Sequence, residues 1–242
     1  MTRRSTLLAL GGAITTALLT GGRPAAAQTA APEPATLLSN VRIFDGLNDQ
    51  LRPGHLLILG DKIAEVSEGE IQPPEGAQVI DGAGRVLMPG LTDAHWHMVF
   101  APNSMANMVA ADTGLMYAYA VAEAERTLMR GFTTIRDTGG PTFGLKQAID
   151  QGGIPGPRVY PSGALISQTA GHGDFTAAYE NTATLGGARS RYEDIGAFLI
   201  ANGPAEVAAA VRQQFRRGAS QVKISLGGGV ISDSDPIDTL QY

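Results

Sequence analysis

His95 and His97 close the segment Met88-Pro89-Gly90-Leu91-Thr92-Asp93-Ala94-His95-Trp96-His97, in which a short apolar run ends in two histidines at i and i+2. On a β-strand that spacing turns both imidazoles to the same side, where one divalent metal can take both. Two partly exposed histidines on a strand or loop would show the same spacing, and it is the Pro89-Gly90-Leu91-Thr92-Asp93 approach that favours metal. The chemistry such a pair offers is hydrolysis by a metal-activated water. The chain contains no cysteine. Disulfides, thiolate zinc sites and cysteine nucleophiles are therefore excluded, and ligands must come from histidine, carboxylate or an unusual donor.

The elements that must hold these histidines read as strand, helix, strand. A strand over 86–93 carries the pair, and an Ala-, Leu- and Met-rich helix over about 104–130 follows it, stopped by Gly131. A second strand is predicted at 132–136, a short helix at 144–150 and a third strand at 158–166. A long Gly- and Thr-rich loop then leads to a helix at about 204–217 and a fourth strand at 221–226. Alternation of this kind predicts parallel βαβ units and an α/β fold. Met105, Met108, Met116, Tyr117 and Tyr119 in the first helix are read as packing. Before this region, residues 28–85 hold short strand-like runs broken by Asp45-Gly46, Pro53-Gly54, Gly60-Asp61 and Asp81-Gly82, which predicts a small antiparallel β-domain. His55 lies there without a second ligand beside it and is read as structural or exposed.

The first 27 residues stand apart. Arg3-Arg4, an apolar run from Leu7 to Leu19 and Ala25-Ala26-Ala27 follow the charged, hydrophobic and cleavable order of an export signal. Thr2-Arg3-Arg4-Ser5-Thr6-Leu7 also resembles a loose twin-arginine signal, so Sec and Tat routes both stay open. A run of 13 residues broken by Gly11-Gly12 is short of the roughly 20 needed to span a bilayer, which favours cleavage after Ala27 over a membrane anchor. The expected location is periplasmic or secreted, with no membrane partner after cleavage. A net charge of −5 gives no basic footprint for nucleic acid.

Taken together, Pro89-Gly90-Leu91-Thr92-Asp93-Ala94-His95-Trp96-His97, Gly131-Phe132-Thr133-Thr134-Ile135-Arg136-Asp137 and Val222-Lys223-Ile224 resemble the amidohydrolase superfamily of metallohydrolases. Gln168-Thr169-Ala170-Gly171-His172-Gly173-Asp174 and Gly227-Gly228-Gly229-Val230-Ile231-Ser232-Asp233-Ser234-Asp235-Pro236 resemble its prolidase-like branch, which includes Xaa-Pro and Xaa-Arg dipeptidases and ochratoxin-hydrolysing enzymes. The fold this implies is the first half of a (β/α)8 TIM-like barrel over 86–242, strands one to four, beside a small and incomplete N-terminal β-sandwich subdomain over 28–85. The resemblance makes His95 and His97 ligands of one metal and Lys223, as a CO2-derived carbamate, the bridge between two divalent ions. Zinc is the expected metal, although histidine and carbamate ligands also suit Mn, Co and Fe. A lysine must lose its proton to react with CO2, and burial beside a metal favours that loss.

His172 sits among glycines and is the candidate to grip substrate. Asp137, closing the second strand, is read as a holder of neighbouring backbone or ligand and not as a base. Gly227-Gly228-Gly229 lacks the Lys and Ser/Thr of a phosphate loop and is read as a tight active-site turn. By resemblance two more histidine ligands and a general-base aspartate belong to strands five, six and eight, so the base is expected beyond residue 242 and the chain to be a piece of a longer one. The expected function is hydrolysis of a C–N bond in a dipeptide or N-acyl amino acid. The alternatives are a non-catalytic fragment or half-barrel needing a partner, and an imidazolonepropionase-like cyclic amidohydrolase.

Overall fold

The computed structural model describes residues 33–230 and 235–242, which form two compact units. Residues 1–27, on which the expectation of an export signal rests, and Ile231-Ser232-Asp233-Ser234 lie outside the described residues.

One unit comprises the described residues up to Ile43 together with Gln50–Leu87. Its strands are β1 (Ala35–Ile43), β2 (Arg52–Leu59), β3 (Lys62–Ser67), β4 (Gln78–Asp81) and β5 (Val86–Leu87). β1 pairs with β2 and β2 with β3 in antiparallel fashion, but β4 and β5 both pair with β1 in parallel. The small domain read as antiparallel from its short strands is thus, among the described residues, a mixed sheet. The chain between Ser67 and Gln78 crosses the sheet instead of turning back, and that path is not written in local periodicity. Leu37, Leu57 and Ile71 form its buried cluster.

The other unit contains Phe44–Asp49 and Met88–Tyr242. β6 (Leu91–Trp96), β7 (Phe132–Asp137) and β8 (Arg158–Pro161) make a parallel sheet in that order. The strand expected at 86–93 is divided, because Val86–Leu87 pairs in the first unit and Pro89-Gly90 separates it from β6. Gly90 is required at this entry, since a Cβ there would fall 2.1–2.6 Å from three side-chain atoms of Thr133.

The helix expected over 104–130 is two helices, α1 (Met105–Ala110) and α2 (Thr113–Met129). Ser104 caps the first and Asp112 the second, each side chain accepting a backbone N–H in the opening turn, while Ala111 is extended between them. α2 buries Met116, Ala120, Glu123, Ala124 and Thr127, a 3.6-period stripe, into a core with Met98, Val99, Ile135 and Val159. Between β7 and β8 lies α3 (Phe143–Asp150).

The third strand is broken too. Gly163 has φ +74°, and Ala164 begins a new direction in which β9 (Leu165–Ser167) pairs with β10 (Phe198–Ile200). The segment read as a long loop therefore carries a 3-10 turn (Ala183–Leu185), the short α4 (Arg191–Asp194) and β10. α5 (Gly203–Arg216) follows. The fourth strand is reduced, among the described residues, to one parallel bridge between Ile166 and Ile224.

Candidate metal centre

β6 and the residue after it bring the two histidines together. Their ring centroids lie 5.4 Å apart, with the planes inclined at 66°. The pairing of β6 with β7 slips between Asp93 and Trp96, an irregularity at Ala94-His95 that re-aims this end of the strand. Trp96 packs against the core between the two rings in sequence, with the Arg130 guanidinium 5.8 Å from its ring centre. His95 is exposed and His97 half-buried.

His97 is held on several sides. Its Nδ1 lies 3.3 Å from the Gly139 carbonyl oxygen, so this nitrogen carries the hydrogen and donates it. Nε2 is then the lone-pair nitrogen, with the Thr138 hydroxyl 3.5 Å away. Phe100 stacks on the ring at 5.4 Å. Burial holds the imidazole below its ordinary pKa, the Gly139 carbonyl opposes this in part, and the nearby His95 and Lys223 push in the same direction as burial. At neutral pH His97 is therefore uncharged with Nε2 free to donate, the state a metal ligand needs.

Lys223 is placed by backbone. Its carbonyl accepts from Ile166 N at 2.9 Å and Ser225 N donates to Ile166 O at 3.0 Å. Val222 and Ile224 pack with Ile166, Ala201 and Ala210, while Lys223 between them is half-buried and lines a cavity shared with His95, His97 and His172. That cavity measures about 670 Å³ and is walled by Phe100, Phe175, Tyr192 and Phe198. Among the described residues no three His, Asp or Glu side chains converge on one point. Of the three histidines and the lysine lining the cavity, His95, His97 and Lys223 are the ones the resemblance makes ligands, and the oriented, neutral imidazole of His97 fits that role.

His172 rides on a loop made rigid by Asp174, whose carboxylate accepts from Ala170 N at 2.8 Å and Thr176 N at 3.0 Å. Ala170 occupies the left-handed region at φ +55°, an uncommon place for alanine. His172 Nδ1 lies 3.3 Å from the buried Asp235 carboxylate. A Cβ at Gly229 would sit 2.2 Å from the same nitrogen. Gly229 is thus glycine because the imidazole passes against it, in keeping with the tight turn read from the triple glycine.

Asp137 does what its position at a strand end foretold. Met98 N donates to its Oδ2 at 2.8 Å and Gly139 N to its Oδ1 at 3.2 Å. Burial raises its pKa from 3.8 to about 6, against those two N–H bonds, which lower it. Sequence reasoning missed three contributors: the Gly139 carbonyl behind His97, Asp235 behind His172, and the aromatic wall. Gly139-Gly140, directly after a strand, was the available signal for the first. Asp235 lies in the segment that resembles the prolidase-like branch, and the wall is assembled from segments far apart in the chain.

A profile of the amidohydrolase family matches residues 86–238. Ochratoxinase of Aspergillus niger is 38% identical over 213 residues, covering 83% of this chain and 44% of that protein. Among solved structures, a prolidase complexed with N-methylphosphonate-L-proline superposes with a TM-score of 0.76 at 33% identity, over 86% of this chain and 50% of its own. A Xaa-Pro dipeptidase with methionine bound in its active site gives a TM-score of 0.70 at 29% identity, over 86% and 51%. The chain thus spans about half the length of these relatives, and its α/β elements correspond to part of their fold. On the family profile and on these likenesses, the chain belongs to the amidohydrolase family.

Proposed function

We propose that this chain supplies the metal-binding and part of the substrate-binding face of an exported, metal-dependent hydrolase of C–N bonds, acting on a dipeptide or an N-acyl amino acid. The observation that carries this reading is the convergence of His95, His97, His172 and Lys223 on one cavity. The ochratoxinase, prolidase and dipeptidase relatives support the amide or peptide bond as the target. The charged, apolar and small-residue order of residues 1–27 supports export.

His95, the Nε2 of His97 and Lys223 as its carbamate would hold the divalent metal, with zinc the expected ion. Bound there, such ions supply Lewis acidity, which makes a water nucleophilic at neutral pH and polarises a carbonyl. The protein's own part is to keep His97 neutral and oriented, and to hold the substrate. His172, held beside Asp235, is the side chain proposed to orient the substrate. Phe100, Phe175, Tyr192 and Phe198 exclude water from the cavity and accept an apolar side chain.

The test is release of free amino acid from a panel of dipeptides and N-acyl amino acids by the zinc-supplemented whole hydrolase of which these residues form the proposed metal-binding face. Hydrolysis abolished by a chelator and by the His95→Ala/His97→Ala double substitution is expected. Hydrolysis that survives both would refute metal dependence at this site.

A further inference from the structure

We propose that Asp137 is a positioning residue that fixes the orientation and the tautomer of His97 through Gly139. Its side chain is fully buried, and each carboxylate oxygen takes a backbone N–H from a different segment: Met98, directly after His97, and Gly139, directly across from it. Its own carbonyl accepts from Ser162 N at 2.9 Å and from Gln221 Nε2 at 3.1 Å, so the residue also ties in the ends of β8 and the approach to Lys223.

His97 stands between the two side-chain ties. Its backbone is anchored through Met98, and its Nδ1 donates to the carbonyl of the residue that Asp137 anchors on the other side. The turn that returns this carbonyl to the ring uses Gly139 at φ +156° and Gly140 at φ +124°. A Cβ on Gly139 would lie 3.4 Å from the His97 ring, and one on Gly140 3.2 Å from Phe100. Among the described residues no cation pairs with Asp137. A buried anion without a counter-charge is costly for a fold, and a carboxylate is the side chain that can accept two N–H bonds at once from diverging segments. The nitrogen that bears hydrogen in a neutral imidazole is decided by the bond its partner makes, so anchoring the Gly139 carbonyl commits Nε2 to the cavity.

The consequence for metal rests on the functional reading above, but the tautomer can be read without it. Ring nitrogen shifts of His97 in the metal-free protein, from long-range proton–nitrogen correlation, are expected to show the Nδ1–H form. Asp137→Asn presents an NH2 group to one of the two backbone donors, and a mixture of tautomers is expected in that variant, with zinc binding weaker by about ten- to hundredfold. Ile135→Val, a small loss in the same core, is the control and is expected to leave the tautomer unchanged. Gly139→Ala displaces the carbonyl while keeping Asp137 and is expected to reproduce the mixture. An Nε2–H form in the parent, or a pure Nδ1–H form in folded Asp137→Asn or in Gly139→Ala, overturns the proposal. Should the Asn variant not fold, the parent and Gly139→Ala still decide it. An Nδ1–H parent that binds no zinc would refute the metal site and leave the positioning role standing.

Discussion

Two of the three imidazoles lining the cavity have different supports, and the difference fits the roles proposed for them. His97 is backed by a neutral carbonyl and shielded by Phe100, which suits a neutral ligand; His172 is backed by the Asp235 carboxylate, which suits a group that binds and orients. Gly229 is the sensitive neighbour of His172, since any Cβ there meets the ring. Gly229→Ala is expected to leave zinc content unchanged and to raise KM about tenfold or more, the size of one charge-assisted hydrogen bond. Unchanged KM would remove His172 from substrate binding. Asp137 makes a second residue-level prediction. In the unfolded chain it titrates near 3.8 and in the folded one near 6, so between these values the folded state holds the extra proton. The stability this gives is complete below about pH 4 and is lost as pH rises to about 6. Relative to Asp137→Asn, the parent is expected to lose on the order of 3 kcal/mol between pH 4 and pH 7, read from urea unfolding at both. A difference between the two proteins that does not vary with pH would contradict this.

At the scale of elements, the close approach of β6 to β7 depends on Gly90. Because both branches of Thr133 and its Cβ would be met, no rotamer change relieves a methyl there. Gly90→Ala is expected to cost about 1–3 kcal/mol, with Thr133→Ala recovering part of it; an unchanged melting temperature would show that the strand entry yields freely. The existence of the main elements was legible in the sequence: β6 and β7 from their apolar runs, α2 from Ala-, Leu- and Met-rich spacing as part of a longer helix, α3 and α5 from the strand–helix alternation. What escaped was set by partners distant in sequence. β10 is a run of three residues, Phe198 to Ile200, that becomes a strand only because Leu165 lies beside it. The break at Gly163 follows from the Gln214 side chain, whose oxygen accepts from Ala164 N at 3.0 Å. The parallel placement of β4 against β1 is likewise a long-range choice.

For the whole molecule, composition set real bounds. Without cysteine the site had to rest on other ligands. Among the described residues no helix is long and apolar enough to cross a membrane. The site itself was half legible: His95, His97, His172 and Lys223 were named from motif and resemblance, and all four line one cavity. Their supports were not, because a backbone carbonyl has no sequence signature and the Asp235 contact joins segments 63 residues apart. Everything claimed for function turns on whether that cavity binds metal. The direct measurement is elemental analysis of the purified protein after zinc equilibration, beside His95→Ala/His97→Ala and Lys223→Ala. Stoichiometric zinc in the parent, lost in the double substitution and reduced in the lysine variant, is the expected result. A folded parent that retains no zinc, or zinc that persists without both histidines, would contradict it.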